Sequence, residues 1–281
     1  MRKRIERKLR KRLRLLQHKE AEIVSRLQKY EKSEIPLGSA LRQVMLDTEA
    51  GWFTRARAAG ILALADRKGA VSSLLDQFHT QTDKIDLWET ALTMEWFGDL
   101  AFVRPLVDAL YDANPHRRHA AARGLGWIPD AGRRAAKGLI RALSDPSQPQ
   151  PVREEAAESL AYLNYAPAIP VLISVLDEPD VRMRFWAVFA LGGIGQSQTC
   201  TSRVWRERLS ADAQVVEALE KMLSDNEVVP GWWSVGREAL AMLGHLDPEY
   251  RAQLDSETRR LLDDSNASPE DRRWAEGYGG S

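Results

Sequence analysis

The chain has 281 residues, 44% hydrophobic and 28% charged, with one cysteine and with Lys+Arg and Asp+Glu balanced at 40 each. One cysteine excludes an internal disulfide framework. The longest apolar stretches, Ala58 to Ala65 and Ile169 to Ile173, fall far short of the roughly 18 residues a membrane-spanning helix needs. The supply of Leu, Ile, Val and Trp excludes wholesale disorder, and the length suits two ordinary domains or one long repeat array.

The neutral total conceals an uneven start. Residues 1–20 hold Arg2, Lys3, Arg4, Arg7, Lys8, Arg10, Lys11, Arg12, Arg14 and Lys19 against only Glu6 and Glu20, so the rest of the chain is acidic by the same margin. Ile5, Leu9, Leu13, Leu16, Ile23, Leu27 and Tyr30 recur at steps of three or four, with Glu20 filling the one gap. This spacing predicts a basic amphipathic helix over 1–35, stopped by Pro36 and Gly38. Three uses of the arm stay open: a cap docked on the body, a helix paired with a partner, or an electrostatic arm for nucleic acid or an anionic surface.

Beyond the arm the chain repeats itself. Thr54 to Ala63, Arg117 to Gly126, Val152 to Ala161 and Met183 to Gly192 share one pattern: Arg, small or apolar residues three and four later, Leu at seven and Gly or Ala at eight. Weaker copies end at Met94-Glu95-Trp96-Phe97-Gly98 and Ala239-Leu240-Ala241-Met242-Leu243-Gly244. The anchors are read at Leu62, Phe97, Leu125, Leu160, Leu191 and Leu243, at intervals of 35, 28, 35, 31 and 52, a period that signals stacked helical units. A second helical stripe follows each anchor. It is clearest over Pro170 to Asp177 and present at Val71 to Phe78, Phe102 to Leu110, Ala135 to Leu143 and Val215 to Leu223. Asp112, Asp145, Asp177 and Asp225 close these stripes and are suited to cap or brace the next turn.

The segments Val152 to Ala161, Ala166 to Asp177 and Val181 to Gly195 resemble HEAT repeats, above all the bacterial repeats related to phycobilin lyases. The resemblance covers about residues 50–264 and implies an all-α fold. That fold is a right-handed α-solenoid of about six HEAT-like helical hairpins with a long N-terminal basic amphipathic helix. The domain plan is then the helix over 1–35, the repeat body over 36–264, and a polar C-terminal tail over 265–281 in which Ser268-Pro269 starts one short helix. The 52-residue interval marks an insertion at about 196–210, expected as a surface loop or part of a binding face. Trp52, Trp88, Trp96, Trp127, Trp186, Trp205, Trp232 and Trp233 are assigned mostly to packing between repeats.

Catalytic chemistry is not legible. His116 and His119 are the only close histidines, and they sit beside Arg117 and Arg118, which oppose a cation, so no metal site is expected. The sequence lacks the His-Glu dipeptides of the iron-binding hydroxylases built on HEAT repeats. It matches the HEAT-like alkylpurine DNA glycosylases only in general character. Cys200 has no flanking base, and no phosphate loop, dinucleotide fingerprint or nucleophile elbow occurs. No catalytic residue and no cofactor are therefore assigned. The repeat arginines Arg55, Arg118, Arg153 and Arg184 are read as a ladder reaching acids such as Asp145, Asp177 or Asp180.

In this kind of solenoid the second helices line the concave face. Counting back from their terminal leucines puts Arg104, Asp108, Lys137, Arg141, Pro170, Ser174, Glu217 and Lys221 outward, and Arg133 and Arg134 extend the basic set. The mixed charge of these positions points to a protein or peptide partner rather than to a continuous phosphate track. The expected function is a non-enzymatic scaffold that holds such a partner, with Arg133, Lys137 and Arg141 as anchor. A nucleic-acid-binding protein using the arm and a bilin lyase or chromophore chaperone are the alternatives. A single cysteine and no visible address signal make the cytoplasm the expected compartment.

Overall fold

The computed structural model describes residues 25–27, 35–128, 131–199 and 205–278, with side chains at all of these except 195–199 and 205–212. The chain divides into two compact units, Met1–Ala135 and Ala136–Ser281. Each is a stack of helical hairpins, the architecture of an α-solenoid. The arginines and lysines of residues 2–14 lie outside the described residues.

The first unit contains α1 (Leu37–Leu46), α2 (Trp52–Thr80), α3 (Lys84–Phe97), α4 (Val103–Ala109), α5 (Pro115–Trp127) and the first turn of α6 (Gly132–Ser144). Helix α2 is itself a hairpin arm and its return, broken by non-helical Asp66 (φ −147°, ψ 69°). The Asp66 carboxylate stabilises this break by accepting from the Gly69 N–H and from Arg42. Asp83 caps α3 and Asn114 caps α5, where Pro115 follows and needs no donor of its own. Helix α3 ends at Gly98, whose φ of 70° is open to glycine at no steric cost. The first helices of successive hairpins, α2, α3 and α5, pack on one another.

The second unit continues α6 and adds α7 (Gln150–Leu163), α8 (Ile169–Val175), α9 (Val181–Thr199), α10 (Trp205–Met222), α11 (Val235–Leu246), α12 (Pro248–Asp263) and α13 (Pro269–Tyr278). Helices α7, α9 and α11 stack as first helices. The approach is close: a Cβ on Gly193 would lie 3.0 Å from the Ala161 Cβ, and one on Gly192 would overlap Met242. Most of the insertion expected at 196–210 extends two helices: 196–199 finish α9 and 205–210 begin α10. Residues 200–204, including Cys200, lie outside the described residues.

Leu62, Leu125, Leu160, Leu191 and Leu243 are buried as expected. In α3 the register differs from the sequence reading. Phe97 is only half-buried, and Met94 is fully buried in the anchor position. With Met94 as anchor the spacing from Leu62 to Leu125 becomes nearly even. The aromatic pair Trp96-Phe97 misled the count, because the bulkiest apolar residues here face outward.

Arg55, Arg153 and Arg184 are braces, and the partners seen for these three are other than Asp145, Asp177 and Asp180. Arg55 is fully buried; its Nε donates to the Met45 carbonyl (3.2 Å), and it also reaches Gln77 and Thr90. Burial pushes its guanidinium pKa below the ordinary value, against the pull of Glu89, Asp86 and Asp47. Arg153 repeats the geometry, donating to the Leu143 carbonyl (2.8 Å) and forking onto Glu178 at 2.9 and 2.5 Å. Arg184 binds Asp225 and Glu227 at 2.8 and 2.9 Å. Asp145 and Asp180 accept from backbone N–H groups of their own turns, as do Asp112 and Asp225. Such bidentate or multiply bonded arginines tie each hairpin to a neighbouring turn.

Candidate functional site

The sequence predicts outward positions on the second helices, and the structure places them at the surface. Arg104 and Asp108 are exposed on α4, 3.9 Å apart. Pro170 and Ser174 are exposed on α8, where Ser174 donates to the Val171 carbonyl. Glu217 and Lys221 are exposed on α10 and pair at 2.9 Å. Because Arg104 and Lys221 each have an acid one turn away on their own helix, these sets largely satisfy themselves.

Helix α6 differs. Its inner face is Ala135, Ala136, Leu139, Ala142 and Leu143, all fully buried. Arg133, Arg134, Lys137 and Arg141 project from the opposite face, and none has an ion-pair partner among the described residues. The wider basic segment from His116 to Leu143 therefore splits in two. Arg117 donates to the Phe78, His79 and Gln81 carbonyls and pairs with Asp112 at 2.8 Å. Burial raises the Asp112 carboxyl, but the Asn114 N–H and Arg117 outweigh it and hold its pKa below the ordinary value. Arg123 pairs with Glu95 at 3.4 Å. Arg117 and Arg123 are thus internal ties, and α6 holds the uncommitted positive charge.

The tryptophans are less buried than sequence reasoning expects. They do meet across hairpins: Trp52 lies 5.3 Å from Trp96, and Trp88 stacks on His119 at 4.9 Å. Yet Trp96 and Trp127 remain 56% and 39% exposed, as does Leu64 at 59%. Two wells open beside them in the first unit. One, of about 480 Å³, is lined by Phe53, Ala56, Gly60, Leu64 and Trp96 among others. The other, of about 590 Å³, is walled by Trp52, Trp88, Trp96 and Trp127. Arg57 lies over the Phe53 ring at 5.3 Å, and Arg123 lies over Trp88 and Trp127 at 5.7 and 5.2 Å.

In the second unit a buried acid organises the aromatic groups. Glu238 on α11 is almost wholly buried, accepting from the Trp233 indole N–H at 2.6 Å and the Tyr278 hydroxyl at 3.3 Å. Burial pushes its pKa up to about 7, and the two donors only partly offset this. Helix α13 supplies Tyr278 and the fully buried Trp274, which sits under Arg237, and Arg237 pairs with Asp271. The polar composition of residues 265–281 hides this packing. Among the described residues no cluster of three His, Cys, Asp or Glu is placed to hold a metal ion, and His119 is spent on the Trp88 stack.

The family model for HEAT repeats matches residues 71–161 and 136–202. The solved complex of CpcE and CpcF of phycocyanin lyase from Nostoc sp. PCC7120 is similar at 18% identity and a TM-score of 0.44, covering 86% of this chain and 94% of that one. Computationally designed armadillo repeat proteins for modular peptide recognition are similar at 18% identity and a TM-score of 0.45, covering 80% and 99%. Human deoxyhypusine hydroxylase is similar at 20% identity and a TM-score of 0.33, covering 86% and 94%. No curated protein matches the sequence.

Proposed function

We propose that this chain, whose residues 71–161 and 136–202 match the family model for HEAT repeats, is a non-enzymatic scaffold that holds a protein or peptide partner along its second helices. One observation carries the reading. Arginines of the first helices are tied into braces, while Arg133, Arg134, Lys137 and Arg141 stand exposed and unpaired along α6. A row of cations at steps of four, on a helix whose other face is fully buried, matches an acidic stretch of a partner. Arg104 and Asp108 in the first unit, and Ser174, Glu217 and Lys221 in the second, are the further polar positions this proposal assigns to the partner.

The triple variant Arg133→Glu, Lys137→Glu and Arg141→Glu tests it. All three side chains are in water, so folding should change by less than about 0.5 kcal/mol. Partners captured from native cells should be lost; an unchanged catch would reject the anchor. A second reading, binding of nucleic acid, draws on the ten cations of residues 1–20. It requires affinity that falls steeply with salt and collapses when residues 2–16 are deleted.

A further inference from the structure

Helix α13 is held to the second unit by few ties. Trp274 is its buried anchor, Asp271 pairs with Arg237 on α11, and the Tyr278 hydroxyl donates to Glu238. No stacked pair of the repeat depends on it: α7, α9 and α11 pack on one another, and α12 packs on α11. Helix α13 can therefore leave without parting these helices, which is the condition for a local opening.

One of its ties ends on a group that has to stay neutral. Glu238 is 1% exposed, and among the described residues its carboxyl meets two neutral donors, the Trp233 indole N–H and the Tyr278 hydroxyl. The charged groups of the surrounding helices are engaged elsewhere. On α11 itself, Arg237 is turned to Asp271 and to the Trp274 ring, and His245 meets the Tyr278 ring at 6.0 Å. On α12, Glu257 holds Arg260 at 2.7 Å. Arg184 of α9 is bound to Asp225 and Glu227, and Lys221 of α10 to Glu217. A carboxylate at Glu238 would thus be a buried charge with no cation beside it, which is costly unless water reaches it. Moving α13 aside takes Tyr278 off the carboxyl and hydrates it while α9, α10 and α12 keep their packing on α11. The buried Trp274 indole N–H has no acceptor among the described residues, so release also lets it gain a bond to water.

We propose that α13 is a pH-sensitive latch: the proton on Glu238 keeps it shut, and loss of that proton releases α13 and uncovers Trp274 while the other hairpins of the second unit stay folded. Burial sets the range, because it lifts the Glu238 pKa to about 7. In the open state the carboxyl is in water and returns toward its ordinary 4.5. The open state therefore gains on the closed one as pH rises from about 4.5 to about 7, and gains no further above that.

The test is hydrogen exchange of the full chain, read by mass spectrometry from pH 5 to pH 8 with the intrinsic exchange rates divided out. Protection of the α13 amides should fall by about tenfold or more over that range, and protection of α7 by less than about twofold. In the Glu238→Gln protein the protection of α13 should not change with pH. His245→Asn, which removes the imidazole beside Tyr278, should leave the fall intact. Flat α13 protection in the parent, an equal fall in α7, a fall that persists in Glu238→Gln, or one that vanishes in His245→Asn would each overturn the proposal. The comparison of α13 with α7 needs no variant, so it decides the matter even where Glu238→Gln fails to fold.

Discussion

The two units differ in one aromatic cluster: the second buries Trp274 completely, although its Trp232 stays as exposed as Trp127 of the first. In the first, Trp96 and Trp127 border open wells, with Trp52 beside Trp96 and Arg123 over Trp127. In the second, α13 folds over the aromatic residues, buries Trp274 fully and brings Tyr278 to the Glu238 carboxylate. Both units leave aromatic residues exposed, Trp232 and Tyr162 in the second among them, and the second also buries Trp274. Helix α13 is the element that covers the Glu238 cluster, and no comparable helix lies over Trp96 and Trp127 among the described residues.

The contrast is most easily broken at Trp274. Trp274→Ala removes a fully buried indole from under Arg237, and should cost about 3–5 kcal/mol in urea unfolding. Titrating Glu238 should have a somewhat smaller effect. Its unfolded pKa is near 4.5 and its folded pKa about 7, so the folded state holds the proton more tightly. The stability linked to this group is fully present below about pH 4.5 and falls as pH rises through about 7. Above that the loss reaches about 3 kcal/mol. Glu238→Gln should remove that slope, so the variant should gain stability relative to the parent between pH 5 and 8; parallel curves would show that the carboxyl is not the responsible group. The smallest effect is expected at Trp96. More than half of its surface is already in water, and Trp96→Ala should cost under about 1 kcal/mol. A cost as large as that of Trp274→Ala would mean that the wells are structural.

Much of the fold was legible because leucine anchors carry the repeat. Leu62, Leu125, Leu160, Leu191 and Leu243 mark the first helices, and the phase of the second helices correctly exposes Arg133, Lys137 and Arg141. Met94 was missed because Phe97 is larger, and size is a poor guide where aromatic residues face outward. The arginine ladder was legible as a role and not as a set of partners. Glu178 and Glu227 are reached through turns whose geometry no spacing encodes. Trp274 sits in a polar segment with no apolar stripe around it, and Glu238 reads as an ordinary helix acid until the surrounding side chains are in place. Burial of a single residue by a distant element leaves no local mark in sequence.

The Arg184 brace also bears on how the chain can change in length. Arg184 on α9 grips Asp225 and Glu227, which follow α10, so the hold spans the longest interval in the repeat. Helix α9 also packs directly on α11. Registration of these helices is therefore carried through space rather than along the covalent chain. Lengthening a connection whose ends are already held costs little, about 0.6 kcal/mol for each doubling. The seating of α9 against α11 is thus set by these contacts and not by the length of chain between them.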